Sequence, residues 1–377
     1  MKDHKRVLVF ARHPSGGIRT YFRYVYGNSA MDDVRLSFVT PKSEELNQIL
    51  LTLTNVEFNS ESNDSVFALI VSLVGSIFSR KFDVIHSHGF TAGLIAVIPA
   101  RLLSIPHIIT THDVLLEPQF RGLKGKLQKW VVGQLLRLAT VVNPVGRDAA
   151  SNLLETYPYL NAPGKVRHIQ NGIDIDHFLI ERKRDLRAEA GLASDAFLLG
   201  FFGRFMAQKG FRTLVDAVEI WNAKPDTGKV TVACFGWGGF IREEQASLRE
   251  RNLDGYFHFF PNTDDMPAAL RGVDAVVMPS RWEACPLLPM EAFVSGVPVI
   301  ATGCIGLGEV TENTPVVSFE IGNAESLVDA ILYFKEHREQ ITQEVREFRD
   351  EAAKRFDVTS TALLVRGLMD SIAPPIS

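Results

Sequence analysis

Cysteine is scarce: Cys234, Cys285 and Cys304 are the only three in 377 residues. Their number is odd and no two stand as C-x-x-C, so neither a disulfide framework nor a zinc site is indicated. Positive charge is in deficit, with 40 Lys and Arg against 44 Asp and Glu and a net charge of −4. No global field draws nucleic acid to such a chain. No apolar run reaches the roughly 20 residues that cross a bilayer. The longest, Val66 to Phe78, reads as a buried helix. The opening residues MKDHKRVLVFARHPSGG lack the apolar core of a signal peptide, so a cytoplasmic location is expected. The nicotinamide fingerprint G-x-G-x-x-G is missing too. FGWGGF, with Gly236, Gly238 and Gly239, lacks the third glycine at the required spacing and reads as a turn.

What is present is an ordinary globular composition, 46% hydrophobic and 22% charged, arranged in a double rhythm. Five apolar runs in the first half read as strands: 7–11, 34–40, 83–89, 107–113 and 140–145. Six more follow at 197–204, 230–236, 256–261, 274–280, 298–303 and 315–319. They are nearly continuous in apolar residues, as parallel strands covered on both faces are, and helix-length stretches separate them. A βαβ series played twice predicts an α/β protein of two doubly wound domains. The seam is expected near 164–178, giving one domain over 1–168 and a second over 169–357, with an amphipathic C-terminal helix at about 358–377.

In such sheets ligands bind beyond the carboxyl ends of the strands. After the first strand, HPSGGIRTYF places Gly16 and Gly17 at the start of a helix, where backbone can approach a ligand or simply turn tightly. His86 and His88 end one strand, and His112 and Asp113 end another, without the convergent spacing of a metal site. His112 can hydrogen-bond a substrate hydroxyl or stand as a structural side chain. In the second series, Arg204 follows a strand and Lys209 lies five residues on, two cations suited to a diphosphate. The D-x-D of Asp174 and Asp176 has the form of a divalent-metal pair but falls at the seam after Asn-Gly, and no metal site is expected.

PSRWEACPLLPMEAFVSGVPVI carries Glu283 and Glu291 on either side of Pro286 and Pro289. Pro289 forbids a continuous helix between the glutamates but is tolerated in a first turn. A helix is therefore expected to start near 287–289, with Glu283 on the loop before it and Glu291 in its first turn. The amides of Leu287 and Leu288 would then be free for phosphate oxygens. Cys285 reads as a packed small hydrophobe, with a reactive thiol as the alternative.

Taken together, GG (16–17), the histidine of TTHD (112), NGID (171–174), GRFMAQKG (203–210) and the E-x7-E pair with SGVPVIAT (295–302) resemble the GT-B glycosyltransferases, specifically the large retaining family 4. The resemblance covers nearly the whole chain. It implies two Rossmann-like domains facing across a deep cleft, an N-terminal acceptor domain to which the C-terminal helix returns, and a C-terminal donor domain. It further implies that Arg204 and Lys209 hold the diphosphate of a nucleotide sugar, Glu291 the ribose, Glu283 and His112 the transferred sugar, and Gly16 and Gly17 approach both substrates. The acceptor would be a saccharide or a lipid-linked glycan, and no cofactor is implied. Ala284-Cys285-Pro286 departs from the family's small glycine-containing run, and Pro286 removes one amide. The other readings are a GT-B epimerase or phosphorylase and a non-catalytic sugar-nucleotide binder.

One basic stretch stands apart. Residues 120–139 carry Arg121, Lys124, Lys126 and Lys129 among Phe120, Leu123, Leu127, Trp130 and Val131. A basic amphipathic helix can lie on an anionic membrane, and a lipid-linked acceptor would favour contact with the inner face. The alternative is a helix packed on the sheet with its cations in water.

Overall fold

The computed structural model describes residues 4–63, 65–224, 228–238 and 240–373. Gly239 of FGWGGF lies outside them. The chain forms two compact units. One runs to Gly172 and resumes at Val358, and the other spans Ile173–Asp357.

Each unit is built on a six-stranded, all-parallel sheet. The first contains β1 (Lys5–Ala11), β2 (Val34–Pro41), β3 (Val56–Ser62), β4 (Val84–His88), β5 (His107–Thr111) and β6 (Val141–Pro144), in the order β3-β2-β1-β4-β5-β6. The second contains β7 (Phe197–Phe202), β8 (Val230–Phe235), β9 (Phe257–Phe260), β10 (Ala275–Met278), β11 (Val299–Thr302) and β12 (Val317–Phe319), in the order β12-β11-β10-β7-β8-β9. The order is the same in both, with a topological switch point between β1 and β4 and again between β7 and β10. Strands such as FLLGFF and VTVACF are buried along their whole length, as helices on both faces require.

Two expectations are corrected. The first sheet has six strands, not five. The missed one, β3 (VEFNSES), is an edge strand in which no residue is fully buried, so its sequence carries polar side chains instead of an apolar run. The helix expected to be buried, now Val66–Ser79, is buried on one face only. Leu69, Leu73 and Ile77 enter the core while Phe67, Val71 and Phe78 are exposed.

The helix Val358–Ile372 belongs to the first unit. Val358, Ala362, Val365, Leu368 and Met369 pack with Val7, Val9, Phe22 and Met31 of its core. Lys5 fastens it by donating to the carbonyls of Met369 at 3.1 Å and Ala373 at 2.6 Å and pairing with Asp370.

Candidate functional site

In the second unit the residues singled out from sequence converge at the β7–β10 switch point. Arg204 follows β7, and Lys209 ends a short 3₁₀ turn, Ala207–Lys209. Glu283 lies on the loop after β10, and the helix Leu288–Val294 begins with Leu287 as its N-cap and Pro289 in its first turn. The expected break between the two glutamates is therefore present, and Glu291 sits in the first turn.

The loops are sewn to one another. The Arg281 amide donates to the Gln208 carbonyl at 2.8 Å, and the Gln208 side chain donates to the Trp282 carbonyl at 3.0 Å. The Glu283 amide donates to the Ile305 carbonyl at 2.9 Å, and Thr302 Oγ1 to the Ser280 carbonyl at 2.6 Å. Two glycines make this closeness possible. A Cβ on Gly210, whose φ is +65°, would lie 1.8 Å from the Pro279 carbonyl oxygen. One on Gly306, φ +75°, would lie 2.4 Å from that of Glu283.

Within this frame Lys209 Nζ donates to Glu283 Oε1 at 2.7 Å, and Ser280 Oγ donates to the same oxygen at 2.7 Å. Glu283 is only 5% exposed, so its charge is held by these two donors. Lys209 is thus not a free cation awaiting phosphate. It spends one of three donors on Glu283 and keeps two. Arg204 is half-buried, and its guanidinium has no partner among the described residues. Ser280 was not recognised from the sequence, where only its place as the last residue of the run 274–280 marks it.

Glu291 is half-buried and has no ion-pair partner among the described residues, and burial pushes its pKa up to about 7. The folded protein therefore holds this proton more tightly than the unfolded chain, whose value is near 4.5. Its contribution to stability is full below about 4.5 and is lost as pH rises through 7. Cys285 is buried, consistent with the packed reading. Asp174 caps the short helix Ile175–Leu179, its Oδ1 accepting the His177 amide at 3.4 Å. Among the described residues no three His, Cys, Asp or Glu side chains are grouped to hold a metal ion.

The first unit presents its own switch point. Gly16, at φ +53°, caps the helix Gly17–Tyr21 after β1, and a Cβ at Gly16 or Gly17 would meet nothing within 4 Å. The backbone there faces open space, so packing does not demand the glycines. His112 follows β5 at the end of a buried polar chain. Asn143 donates to the Arg167 carbonyl at 2.7 Å, which leaves its Oδ1 to accept from Thr110 at 3.2 Å. His86 Nε2 must then donate to Thr110 (2.7 Å), and its Nδ1 accepts from the Tyr26 hydroxyl (2.8 Å). Tyr26 accepts from His88 Nε2 (2.7 Å), and His88 Nδ1 accepts from His112 Nε2 (3.0 Å). The order fixes each tautomer and leaves His112 Nδ1 as a bare acceptor. Burial lowers the pKa of His86 and of His112 to about 3 and holds His88 well below the usual range, so the chain stays neutral. In this tautomer His112 Nδ1 is able to accept from a hydroxyl but not to donate to one. Tyr26 had given no sequence signal.

Two doubly wound units of identical strand order, each with its polar residues at the switch point, define the GT-B class of glycosyltransferase fold. The family model described as Glycosyltransferase Family 4 matches residues 15–177, and that described as Glycosyl transferases group 1 matches 196–337. The chain belongs to this family and is a glycosyltransferase. The chain is 26% identical over 272 residues to the Escherichia coli UDP-Gal:alpha-D-GlcNAc-diphosphoundecaprenol alpha-1,3-galactosyltransferase, covering 70% of this chain and 69% of that one. It is 28% identical over 253 residues to the lipopolysaccharide core biosynthesis mannosyltransferase LpsB of Rhizobium meliloti, covering 64% and 68%. The Anabaena HepE crystal structure in complex with UDP-glucose superposes with a TM-score of 0.82 at 20% identity, covering 98% of this chain and 100% of that one.

Proposed function

We propose that the protein is a retaining hexosyltransferase that moves a sugar from a nucleotide diphosphate to a glycan or lipid-linked acceptor in cell-surface polysaccharide or glycoconjugate synthesis. The observation that carries this reading is the Arg204–Lys209–Glu283–Glu291 cradle at one switch point. Arg204 and the two spare donors of Lys209 meet the diphosphate, where negative charge grows as the leaving group departs. The Leu287 and Leu288 amides add uncharged donors. Glu291 accepts from the ribose hydroxyls and Glu283 from hydroxyls of the transferred sugar, and His112, in the first unit, offers Nδ1 to a sugar hydroxyl. Gly16 and Gly17 leave room for substrate beside the first unit. Glu283 Oε1, already engaged by two donors, suits a positioning role better than that of a nucleophile. The bond from C1 to the phosphate oxygen breaks and a bond from C1 to the acceptor oxygen forms. The acceptor's proton passes to the departing phosphate. UDP-glucose and UDP-galactose are the first donors to test, on the strength of the relatives. NMR of the product settles the anomeric outcome: retention is expected, and inversion would overturn this route.

Donor binding should depend on pH through Glu291. Ribose hydroxyls bind the ionised carboxylate best, so affinity for intact nucleotide sugar should rise as pH passes upward through about 7. The buried His86 and His112, neutral down to about 3, cannot cause such a step. Calorimetry from pH 6 to 8 checks this, and Glu291→Gln should flatten the profile.

The reading extends to the membrane. The helix Gly122–Leu138 leaves Leu123 87%, Leu127 61% and Trp130 61% exposed beside Lys124, Lys126 and Lys129. Leu102, Phe67 and Phe78 add exposed apolar surface on helices that share its side of the first sheet. Such a face suits an anionic bilayer and would bring the enzyme to a lipid-linked acceptor. No helix among the described residues is long and apolar enough to cross a membrane. Co-sedimentation with phosphatidylglycerol vesicles at low salt should fall at least tenfold in Leu127→Glu/Trp130→Glu. Equal sedimentation of variant and parent would refute the contact.

A further inference from the structure

The cradle occupies the end of the second sheet where its strands finish. At the end where they begin, a cavity of about 440 Å³ opens between residues 181–187, 271–274, 295–298 and the helix Arg338–Arg355. Its lining carries Arg182, Arg187, Arg271, Arg338, Arg346 and Arg349 together with Lys183, against two carboxylates, Glu181 and Asp274. In a chain of net charge −4 this is a strong local surplus of the opposite sign.

The two acids are already taken. Arg187 pairs with Asp274 at 2.6 Å and also donates to the carbonyls of Ala196 and Gly272. Arg338 takes the other Asp274 oxygen, and Arg349 pairs with Glu181 at 3.2 Å. Arg182 lies 3.5 Å from Asp265, an exposed pair of little strength. Three cations are left over. Lys183 and Arg346 have no acid partner among the described residues. Arg271 is half-buried and donates only to the neutral carbonyls of Phe178 (2.8 Å) and Pro267 (3.3 Å). Burial, and after it the neighbouring Arg349, hold the Arg271 pKa below its usual value, while Glu181 and Asp265 act in the opposite sense.

A merely solvated basic face would keep its cations apart and in water. Here arginines from three separate segments converge on a hollow, and one is half-buried against another. Planar guanidinium forks match phosphate oxygens in pairs. The volume suits a small molecule better than a single inorganic ion. We infer that this cavity is a second anion site, for a ligand carrying two or more phosphate groups, distinct from the donor cradle. The two lie at opposite ends of β10, whose four residues span roughly 13 Å at about 3.3 Å per residue. The phosphates could belong to a free phosphorylated metabolite or to a lipid headgroup.

The test uses tripolyphosphate titrated calorimetrically into full-length protein carrying Arg204→Ala, which weakens the cradle as a competing site. Saturable one-to-one binding is expected there, weakened at least tenfold by adding Lys183→Glu/Arg346→Glu. Both changed side chains are exposed and unpartnered among the described residues, so folding should be unaffected. Arg182→Glu, checked by thermal melting, serves as an independent variant and should weaken binding severalfold. Sedimentation with cardiolipin vesicles separates the sources. If the charge-reversed protein also loses vesicle binding, the headgroup is the ligand; if only tripolyphosphate binding is lost, the ligand is free. Absence of tripolyphosphate binding, or undiminished binding to the charge-reversed protein, would overturn the proposal.

Discussion

Arg204→Ala should lower kcat for sugar transfer by about 10²–10³-fold, the usual loss when one fixed donor to a developing charge is removed. The magnitude follows from the state of this guanidinium. It stands at the mouth of the β7–β10 switch point with no protein partner among the described residues. Under the proposed function all its donors would meet the leaving diphosphate, with no protein partner to give up as charge develops. For the same reason its loss should leave stability almost unchanged, because no buried acid is orphaned. Arg204→Lys keeps the charge but not the fork, so it should recover part of the rate only. Steady-state kinetics with paired thermal melts check both halves. A variant with parental kcat would remove Arg204 from the reaction, and one that fails to fold would give it a structural role instead.

Lys209→Ala should behave differently, losing both rate and stability. Lys209 is the cation that offsets Glu283, which is 5% exposed. Without it the Ser280 hydroxyl is the one side-chain donor left to the buried carboxylate among the described residues. Breaking such a pair costs about 3 kcal/mol, the lower end of the range for buried pairs, because the lysine itself is partly solvated. Adding Glu283→Gln removes the stranded charge and should return most of the stability while leaving transfer suppressed. Denaturant unfolding of the two single variants and the double variant measures this coupling. If the double variant is no more stable than Lys209→Ala, the pair is not what holds Glu283 in place.

Much of this was legible because parallel strands buried on both faces must be apolar throughout. All six strands of the second sheet are found where apolar runs stand. β3 escaped notice because an edge strand is free to be polar. The outward face of Val66–Ser79 escaped because an apolar run carries no sign of which side meets water. Prolines gave away the Glu283–Glu291 geometry, since Pro289 limits where a helix can begin. What sequence could not give was pairing. Lys209 and Glu283 are 74 positions apart, and nothing local announces that they meet. The tautomer of His112 was equally hidden, because it depends on Asn143, Thr110, His86, Tyr26 and His88 acting in series.

The second unit carries two kinds of charged site. At the cradle, acids and cations are interleaved and partly matched, with Lys209 paired to Glu283. At the opposite end of the sheet the cations outnumber the acids, the imbalance on which the proposed second anion site rests.

The central claim is that nucleotide sugar is gripped by the loops that follow β7 and β10. Amide hydrogen exchange on the full-length protein, with and without saturating UDP-glucose or UDP-galactose, addresses it residue by residue. Slowed exchange is expected across 203–210 and 281–291, and it should disappear in Glu291→Ala. Slowed exchange at other segments with these two stretches unchanged would contradict the assignment.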